Sequence, residues 1–440
     1  DVAAPSPQGP GQTPNPLFTF AGISYTGSVP PDTIGDVGPD HYVQAVNVKF
    51  AIWDKSGVQL KAPTNINTLG SGFGGVCQTH NDGDPVVLYD SLADRWVVAQ
   101  FALAAQNYIC VAVSQTADPL GAYHRYAFQT VGFPDYPKLA VWGDAYYAST
   151  NENGASAYAF ERADMLNGQP ASSVRFNVAN SNFMLPADVD GSTAPPTGAP
   201  NPFYTFTDSS YWGGANDRLE IYEFHVDWTT PANSTFTNVT DLTLTPFTYT
   251  VCGYFNFSCI RQPSPGERLD AISEWPMHRW AYRNFGTHQS LVGNFAFDVN
   301  NNNRSGIRWY ELRKTTGAWA LYQEGTHSPN NLARWVGSIA MDGDGNIALG
   351  YSVSSRQLRP AIRYATRLTT DPLGTLQAEA SLIEGTGVQR FSSNRWGDYS
   401  AMGVDPADDC TFWYTNEYYV SNGTNWQTRI GAFVLPECAP

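Results

Sequence analysis

The chain has 440 residues and a formal net charge of −15 at pH 7, so acidic residues clearly outnumber basic ones. This balance argues against binding to nucleic acid or to anionic membranes, because both require a basic surface. No apolar run approaches the ~20 residues that a membrane-spanning helix needs, so membrane insertion is not expected.

The first stretch, residues 1–16, is rich in Pro, Gly, Gln and Ser. Such a composition cannot bury a core, and it predicts a disordered lead. Residues 17–440 are predicted to form a single domain. Leu17–Ser24 is strand-like and precedes all the repeats described next, so it could pair with the last repeat and close a ring.

A two-strand pattern recurs along the rest of the chain. A short apolar run ends at an Asp, and a second apolar run follows after a turn rich in Asp, Asn, Gly and Ser, which predicts a β-hairpin. The copies lie roughly 45–90 residues apart, and repeats of about this size are typical of propeller blades. We therefore predict an all-β fold, a single seven-bladed β-propeller. The Asp residues expected to close the first strand of each blade are Asp40, Asp90, Asp144, Asp208, Asp298, Asp342 and Asp405.

The longest interval between copies separates Asp208 from Asp298. It predicts an insertion at roughly residues 227–286, after the fourth blade. Insertions of this size in a compact fold are often functional, and the alternative is a solvated decoration. Helix signals are almost absent, and only residues 162–167 are expected to form a helical turn.

The chain has an even number of cysteines, six, and none has the spacing of a metal site. They indicate disulfides and an oxidising compartment, so we expect a secreted protein, extracellular or at the cell surface. Six cysteines allow 15 connectivities. We favour nearest neighbours, since each pair then lies within or beside one blade: Cys77–Cys110, Cys252–Cys259 and Cys410–Cys438.

The polar segments that lead into the first strands carry the candidate site. In a closed ring these segments open on one face around the channel mouth, where convergent titratable groups can form a pocket. The alternative is that Asp and Arg simply pair there. The candidate catalytic residues are Asp84, His288 and Asp398. The candidate ligand-binding residues are His80, Asp82, Arg334, Trp335, Arg395 and Tyr399.

Calcium is a possible cofactor, with Asp36, Asp342 and Asp344 as candidate ligands. Asp342 and Asp344 belong to a segment of alternating oxygen-bearing residues, but it lacks the Gly and Glu positions of an EF-hand loop. A plain hairpin turn is the alternative interpretation of this segment. No pair of histidines has a zinc-like spacing.

Three segments, Pro31–Pro39, Tyr282–Gly286 and Asn394–Ser400, resemble those of an uncharacterised group of secreted bacterial β-propeller proteins. The resemblance extends over most of the chain after the Pro-rich lead. It implies an extracellular bacterial protein, and it implies no defined reaction and no catalytic residues.

Two functions remain open on the sequence. The first is an enzyme or binding protein for an extracellular glycan, in which carboxylates at the mouth act as acid and base. The second is a non-enzymatic adhesion or protein-interaction module with a sealed channel, whose partner is a surface protein. An open mouth with shifted carboxylate pKa values would favour the first, and a plugged mouth with paired charges would favour the second.

Overall fold

The computed structural model describes residues 11–179, 181 and 183–438, and most of its regular structure is β-strand. The strands of the first half are β1 (Phe18–Ser24), β2 (Ile34–Val37), β3 (His41–Val46), β4 (Lys49–Asp54), β5 (Gln59–Asn65), β6 (Gly83–Asp90), β7 (Arg95–Leu103), β8 (Asn107–Ser114), β9 (Tyr123–Gln129), β10 (Asp135–Val141), β11 (Tyr146–Asn151), β12 (Ala155–Phe160), β13 (Ser173–Val178) and β14 (Leu185–Val189). Those of the second half are β15 (Asn201–Thr207), β16 (Arg218–His225), β17 (Thr235–Thr243), β18 (Trp280–Asn284), β19 (Gln289–Asp298), β20 (Ser305–Lys314), β21 (Ala320–His327), β22 (Ala333–Met341), β23 (Ile347–Ser354), β24 (Ala361–Arg367), β25 (Ala380–Ile383), β26 (Ala401–Val404), β27 (Phe412–Tyr418) and β28 (Gln427–Phe433).

The helices are short. They are α1 (Val76–Thr79), α2 (Arg162–Leu166) and α3 (Ser209–Trp212), with 3-10 turns at Ile66–Gly70, Pro231–Asn233 and Pro436–Cys438. The helical turn predicted at residues 162–167 is confirmed by α2.

The strands form antiparallel groups of four in chain order. Five groups are separate sheets: β2–β5, β6–β9, β10–β13, β22–β25, and β26–β28 with β1. The groups β14–β17 and β18–β21 are joined into one eight-stranded sheet by parallel pairing of β14 with β18. The first strands of successive groups contact one another around a central axis, and β26 contacts β2. This is an all-β propeller, as predicted, whereas its seven-blade count stays a prediction.

The ring closes through the chain's two ends. β1 pairs antiparallel with β28, with Phe18 opposite Ala432 and Ala21 opposite Arg429. The expected pairing of the Leu17–Ser24 stretch with the last repeat is therefore confirmed. The pairing covers the edge of β28, and β1 becomes the outer strand of the last sheet.

The core lies between neighbouring sheets, where aromatic and aliphatic side chains interlock. Between β6–β9 and β10–β13, for example, Phe128 stacks on Phe160 with ring centroids 4.1 Å apart. A fully buried large apolar side chain contributes about 2–3 kcal/mol. The tryptophans supply much of this packing, and eight of them are less than 2 % exposed: Trp96, Trp142, Trp280, Trp309, Trp335, Trp396, Trp413 and Trp426.

The assignment of first strands is wrong in two groups. Asp208 follows β15 and Asp298 ends β19, and these are the second strands of their groups, not the first. The first strands there are β14 and β18, whose short mixed sequences Leu-Pro-Ala-Asp-Val and Trp-Ala-Tyr-Arg-Asn lack a clear apolar run. The other five closing Asp residues do follow or end the first strand of their group.

Two further boundaries differ from expectation. The predicted insertion at residues 227–286 contributes the strands β17 and β18, and the long segment between these two strands is residues 244–279. The Pro-rich lead is partly ordered: Thr13 is buried and its Oγ1 accepts a hydrogen bond from the Thr366 backbone N–H at 2.9 Å. Residues 1–10 of the predicted disordered lead lie outside the described residues.

All three predicted disulfides are confirmed. Cys77–Cys110 fastens α1 to β8, Cys252–Cys259 closes a short loop in residues 244–279, and Cys410–Cys438 ties the start of the last hairpin to the C-terminal turn. Within the residues that the structure describes, no helix has the length and apolar character to cross a membrane.

Candidate binding site at the channel mouth

Residues just before the first strands or among the first few residues of these strands, which we call the lead-ins, share an unusual backbone conformation. Five residues at this position have φ between +46° and +59°, namely Asp32, Asp84, Tyr136, Val336 and Asp398. Side chains other than Gly rarely adopt this region, and such strained residues cluster at functional sites. In three of the five lead-ins the strained residue is Asp, so the repeat brings three carboxylates to one end of the channel.

The charges of these three carboxylates, and that of Asp135, act on one buried amine, the Nζ of Lys138. Tyr399 donates its hydroxyl to Asp84 Oδ2 at 2.7 Å. The Lys138 Nζ lies 3.4 Å from the ring centroids of both Tyr136 and Tyr399, and it donates to the Pro137 carbonyl at 3.0 Å. Cation–π contacts of this kind are strongest where water is excluded, and Lys138 is only 1 % exposed.

Burial is the main cause of shifted pKa values in this cluster. Burial raises the pKa of Asp398 to about 7, although the charge of Arg395 opposes this. Burial, reinforced by the charges of Asp398 and Asp84, also raises the pKa of Asp32. Burial lowers the pKa of Lys138 to about 7, against the opposing pull of the carboxylates. In each case burial favours the neutral form of the side chain.

Arg395 closes one side of the cluster. Its guanidinium pairs with Asp398, lies 3.4 Å from Asp270 Oδ2, and sits 5.3 Å from the centroid of the Phe257 ring. Burial raises the pKa of Asp270 to about 7. Arg395, Asp398, Tyr399 and Asp84 thus come together as expected, joined by Lys138 and Asp270.

The mouth is sealed by residues 244–279. The Tyr136 hydroxyl donates to the Pro276 carbonyl at 3.0 Å, and the Trp275 ring packs edge-on against Tyr136 at 4.6 Å. As a result Asp32 is 2 % and Asp398 6 % exposed. We call this segment the plug. The titratable groups beneath it resemble an acid–base site in composition, but a substrate cannot reach them while the plug is in place.

Below the mouth, the channel contains a second charge cluster. Arg279 pairs with Asp188 and Asp190 at 2.6 Å each. Asp188 also accepts from the Val141 backbone N–H at 2.7 Å, and Asp36 accepts from the Tyr89 N–H at 2.8 Å, so each carboxylate bridges to the neighbouring first strand. These contacts hold the ring together from the inside.

Arg334 and Trp335 lie apart from this cluster. Arg334 is fully buried and donates to Glu379 Oε2 at 2.8 and 3.0 Å, and Trp335 packs its ring against Trp396 at 5.7 Å. Glu379 also accepts from Arg363 and Tyr351. All three guanidinium nitrogens of Arg334 therefore donate hydrogen bonds within the protein.

The candidate residues His288 and His80 make none of the contacts that hold the mouth cluster together. His288 lies on the turn between β18 and β19, stacked on Phe285, whose ring approaches the β22–β23 turn at Gly345. That turn is at the ends of the first strands, so the expectation that His288 is on a lead-in is wrong. His80 does precede β6, where its Nδ1 lies 3.3 Å from Asp82 Oδ2, and both side chains are about one-third exposed.

No group of three or more His, Cys, Asp or Glu side chains in the described part of the chain has a geometry that could hold a metal ion. Asp342 organises its own turn by accepting from the Asp344 and Asn346 backbone N–H groups at 3.0 and 2.8 Å. Asp36 is engaged with Tyr89, as described above, and Asp344 is exposed. These contacts match the hairpin-turn interpretation of the segment.

Sequence reasoning missed Lys138, Asp270 and Arg279. Lys138 had a usable signal, since it is a lone charge inside the apolar stretch Pro137–Trp142. Charged residues are almost never fully buried unless they are paired. Asp270 and Arg279 lie in the long interval, where no periodic pattern marks them.

An open cleft lies beside the plug on the same face. It has a volume of about 630 Å³ and is bordered by the ends of β15 and β16 and by the plug. Trp212 of α3 is 54 % exposed at its edge, next to Tyr211, which is 49 % exposed. The Trp212 ring lies 5.8 Å from that of Tyr254. We call this the aromatic cleft. Its polar lining residues include Asp208, Arg218, Glu220 and Glu274.

Comparison with known proteins assigns neither a family nor a function. The chain matches no family model and no curated protein. Similar solved structures include Drosophila semaphorin 1b (8 % identity, TM-score 0.42, 96 % of this chain and 87 % of that one), the BP39L lectin from Burkholderia pseudomallei (9 %, 0.45, 89 % and 93 %), and an α-L-arabinanase from Cellvibrio cellulosa complexed with arabinohexaose (10 %, 0.31, 79 % and 94 %). At these identities and scores no function transfers to this chain.

Proposed function

We propose that the protein is a secreted propeller that binds an extracellular glycan without cleaving it, and that neutral sugar units occupy the aromatic cleft. The supporting observation is the pairing of exposed rings with polar side chains in a cleft of about 630 Å³. Ligand pockets typically measure about 300–1,000 Å³ and combine apolar walls with a few polar groups.

The chemistry of the cleft fits sugars. The faces of a sugar ring are C–H groups that pack on exposed aromatic rings such as Trp212, and amphipathic rings of this kind are common in binding sites. Sugar hydroxyls can bond to the nearby carboxylates. Because Asp208, Glu220 and Glu274 outnumber Arg218, the local field disfavours acidic sugars.

Binding without cleavage is supported by the sealed mouth. The carboxylates suited to acid–base work, such as Asp398, lie beneath Trp275 and Pro276. Glycoside hydrolysis requires two carboxyl groups that flank the bond to be broken. The carboxylates that line the aromatic cleft are held by contacts within the protein: Asp208 accepts from the Ser210 and Tyr249 backbone N–H groups, Glu274 accepts from the Phe255 N–H, and Glu220 pairs with Arg218. Three disulfides support the secreted location, because they persist in oxidising compartments.

The test is a glycan array followed by calorimetry on the ligands found. Trp212→Ala should weaken binding about tenfold, which corresponds to ~1.4 kcal/mol, without changing the melting temperature. Tyr322→Ala is the control, since Tyr322 is 41 % exposed on β21 and does not line the cleft.

Two outcomes would contradict the proposal. Equal affinity of the two variants, or no glycan binding at all, would favour the alternative of a protein-adhesion module. Release of reducing sugar from any polysaccharide that the protein binds would contradict binding without cleavage.

A further inference from the structure

A second cleft, of about 370 Å³, lies on the other side of the plug and is strongly basic. It is lined by Arg261, Arg268, Arg304 and Arg356, and no Asp or Glu is among its lining residues. Four arginines in one cleft stand out in a chain whose net charge is −15. We call this the arginine cleft.

The plug forms one wall and places two of the arginines side by side. Ile260 and Leu269 form an antiparallel bridge with backbone hydrogen bonds of 2.8 Å, so Arg261 and Arg268 stand next to paired backbone positions. The Cys252–Cys259 disulfide closes the loop before them. Ser354 Oγ donates to the Arg261 carbonyl at 3.0 Å and fixes this wall to β23.

The opposite wall comes from two turns between strands. Arg304 follows the β19–β20 turn, and its Nη1 donates to Asn331 Oδ1 at 2.5 Å. Arg356 belongs to the β23–β24 turn. The cationic groups are therefore held on backbone that is fixed by a disulfide, a β-bridge and strand ends.

These arginines lack the acidic partners that other arginines have. Arg279 and Arg334 are matched to carboxylates at 2.6 and 2.8 Å. For the four guanidinium groups of the arginine cleft, no carboxylate lies within ion-pair distance in the part of the chain that the structure describes. The positive charges of Arg268 and, more weakly, Arg356 lower the pKa of Arg261, so these groups repel one another. A bound anion would relieve that repulsion.

We propose that the arginine cleft is a second binding site, for a tetrahedral oxyanion carried as a sulfate or phosphate ester on a single sugar unit. Guanidinium groups recognise such oxyanions through paired hydrogen bonds. The neutral lining residues Asn302, Asn303 and Gln357 supply amides for sugar hydroxyls.

The size of the site and the charge of the protein restrict the ligand. A volume of about 370 Å³ is near the lower limit for a small-molecule pocket and suits one substituted sugar. A long polyanion such as nucleic acid would gain from four arginines but would be repelled by the net charge of −15.

The test is calorimetry on the intact protein with glucose 6-sulfate, glucose 6-phosphate, glucose, inorganic sulfate and inorganic phosphate. We expect at least one ester to bind, glucose not to bind, and the free anions to bind at least fivefold more weakly than the ester. The affinity should fall as NaCl is added. Comparison of the two esters identifies which oxyanion the site prefers.

The double variant Arg261→Gln/Arg356→Gln should lose at least tenfold in ester affinity while keeping its melting temperature. Arg359→Gln is the matched control, because Arg359 is exposed in the same β23–β24 connection but does not line the cleft. If the double variant and the control bind the ester with equal affinity, the arginine cleft is not the binding site. If the free anions bind as tightly as the esters, the proposal that the site also recognises a sugar is wrong. If a DNA duplex binds more tightly than the esters, the proposal of a compact, single-sugar ligand is wrong. Trp212→Ala should leave ester binding unchanged, so this test is independent of the neutral-glycan proposal.

Discussion

Two buried charge clusters, one around Glu379 and one under the plug, differ in how their charges balance. Glu379 accepts from Arg334, Arg363 and Tyr351. Burial opposes its ionisation, but the hydrogen bond from His327 and the arginines lower its pKa below the usual range. At the mouth, by contrast, three carboxylates share two cations, and burial raises the pKa values of Asp32 and Asp398 and lowers that of Lys138. The first arrangement favours the charged state of its carboxylate, and the second favours the neutral states of Asp32, Asp398 and Lys138.

The difference indicates different roles. A carboxylate with two guanidinium partners is a structural lock, because removing one partner strands a buried charge. A cluster with excess carboxylates is held in place by its surroundings, and its stability depends on pH. The sequence analysis predicted that Arg334 and Arg395 line one pocket. In the structure Arg334 belongs to the Glu379 cluster and Arg395 to the mouth cluster.

The largest expected effect comes from Arg334→Met. It removes two hydrogen bonds from Glu379 and leaves that carboxylate with Arg363 as its remaining cation, so the free energy of unfolding should fall by about 3–5 kcal/mol. Urea unfolding measures the loss. Arg359→Met, at an exposed arginine, is the control and should change stability by less than ~0.5 kcal/mol. If Arg334→Met lowers the free energy of unfolding by less than ~1 kcal/mol, the Glu379 cluster is not a structural lock and does not differ in role from the mouth cluster.

A smaller effect, dependent on pH, is expected at Asp398. Its pKa is raised from 3.8 to about 7 on folding, so the folded protein binds more protons between these values, and its stability falls as pH rises through that window. Asn does not titrate. The stability of Asp398→Asn relative to the unaltered protein should therefore rise by about 2 kcal/mol from pH 5 to pH 7.

Denaturant unfolding at both pH values tests this expectation, with Asp40→Asn as the control at an exposed carboxylate. Because the comparison is between variant and unaltered protein, the buried histidines His278 and His327, whose pKa values are lowered by burial, cancel from it. A relative stability that stays constant between pH 5 and pH 7 would mean that Asp398 is charged throughout, like Glu379.

The smallest effect is expected from Tyr399→Phe, which removes the hydrogen bond to Asp84 and keeps the ring beside Lys138. The loss should be about 1 kcal/mol in thermal or urea unfolding. Tyr25→Phe is the control, because the Tyr25 hydroxyl makes a long, exposed bond of 3.3 Å to the Gly27 carbonyl. If both variants behave alike, the mouth cluster contributes less than its burial suggests.

Much of the fold could be predicted because most hairpins carry their own local signal. The apolar runs on either side of Asp90 are β6 and β7, and the nearest-neighbour disulfides follow from hairpins that stack in order. The signal fails at β14 and β18. These first strands are short, and Asp188 in β14 is satisfied by Val141 of another sheet, a contact that no local pattern encodes.

The candidate site was only partly predictable for the same reason. Arg395, Asp398, Tyr399 and Asp84 share lead-in positions, which the repeat reveals. The plug lies in the interval without periodicity, so neither the sealing of the mouth by Trp275 nor the arrangement of the two clefts could be predicted. His288 was misplaced because β19 was taken for a first strand.

The pairing of β1 with β28 also constrains how the chain is made. Residues 18–24 and their partners at 427–433 are separated by some four hundred residues of chain. Until both segments are present, β1 has no strand partner and β28 exposes an unpaired edge, and contacts this distant in sequence slow folding. Newly made chains therefore pass through an open-ring stage in which edge-to-edge aggregation competes with closure, and a chaperone that shields a strand edge would act at that stage.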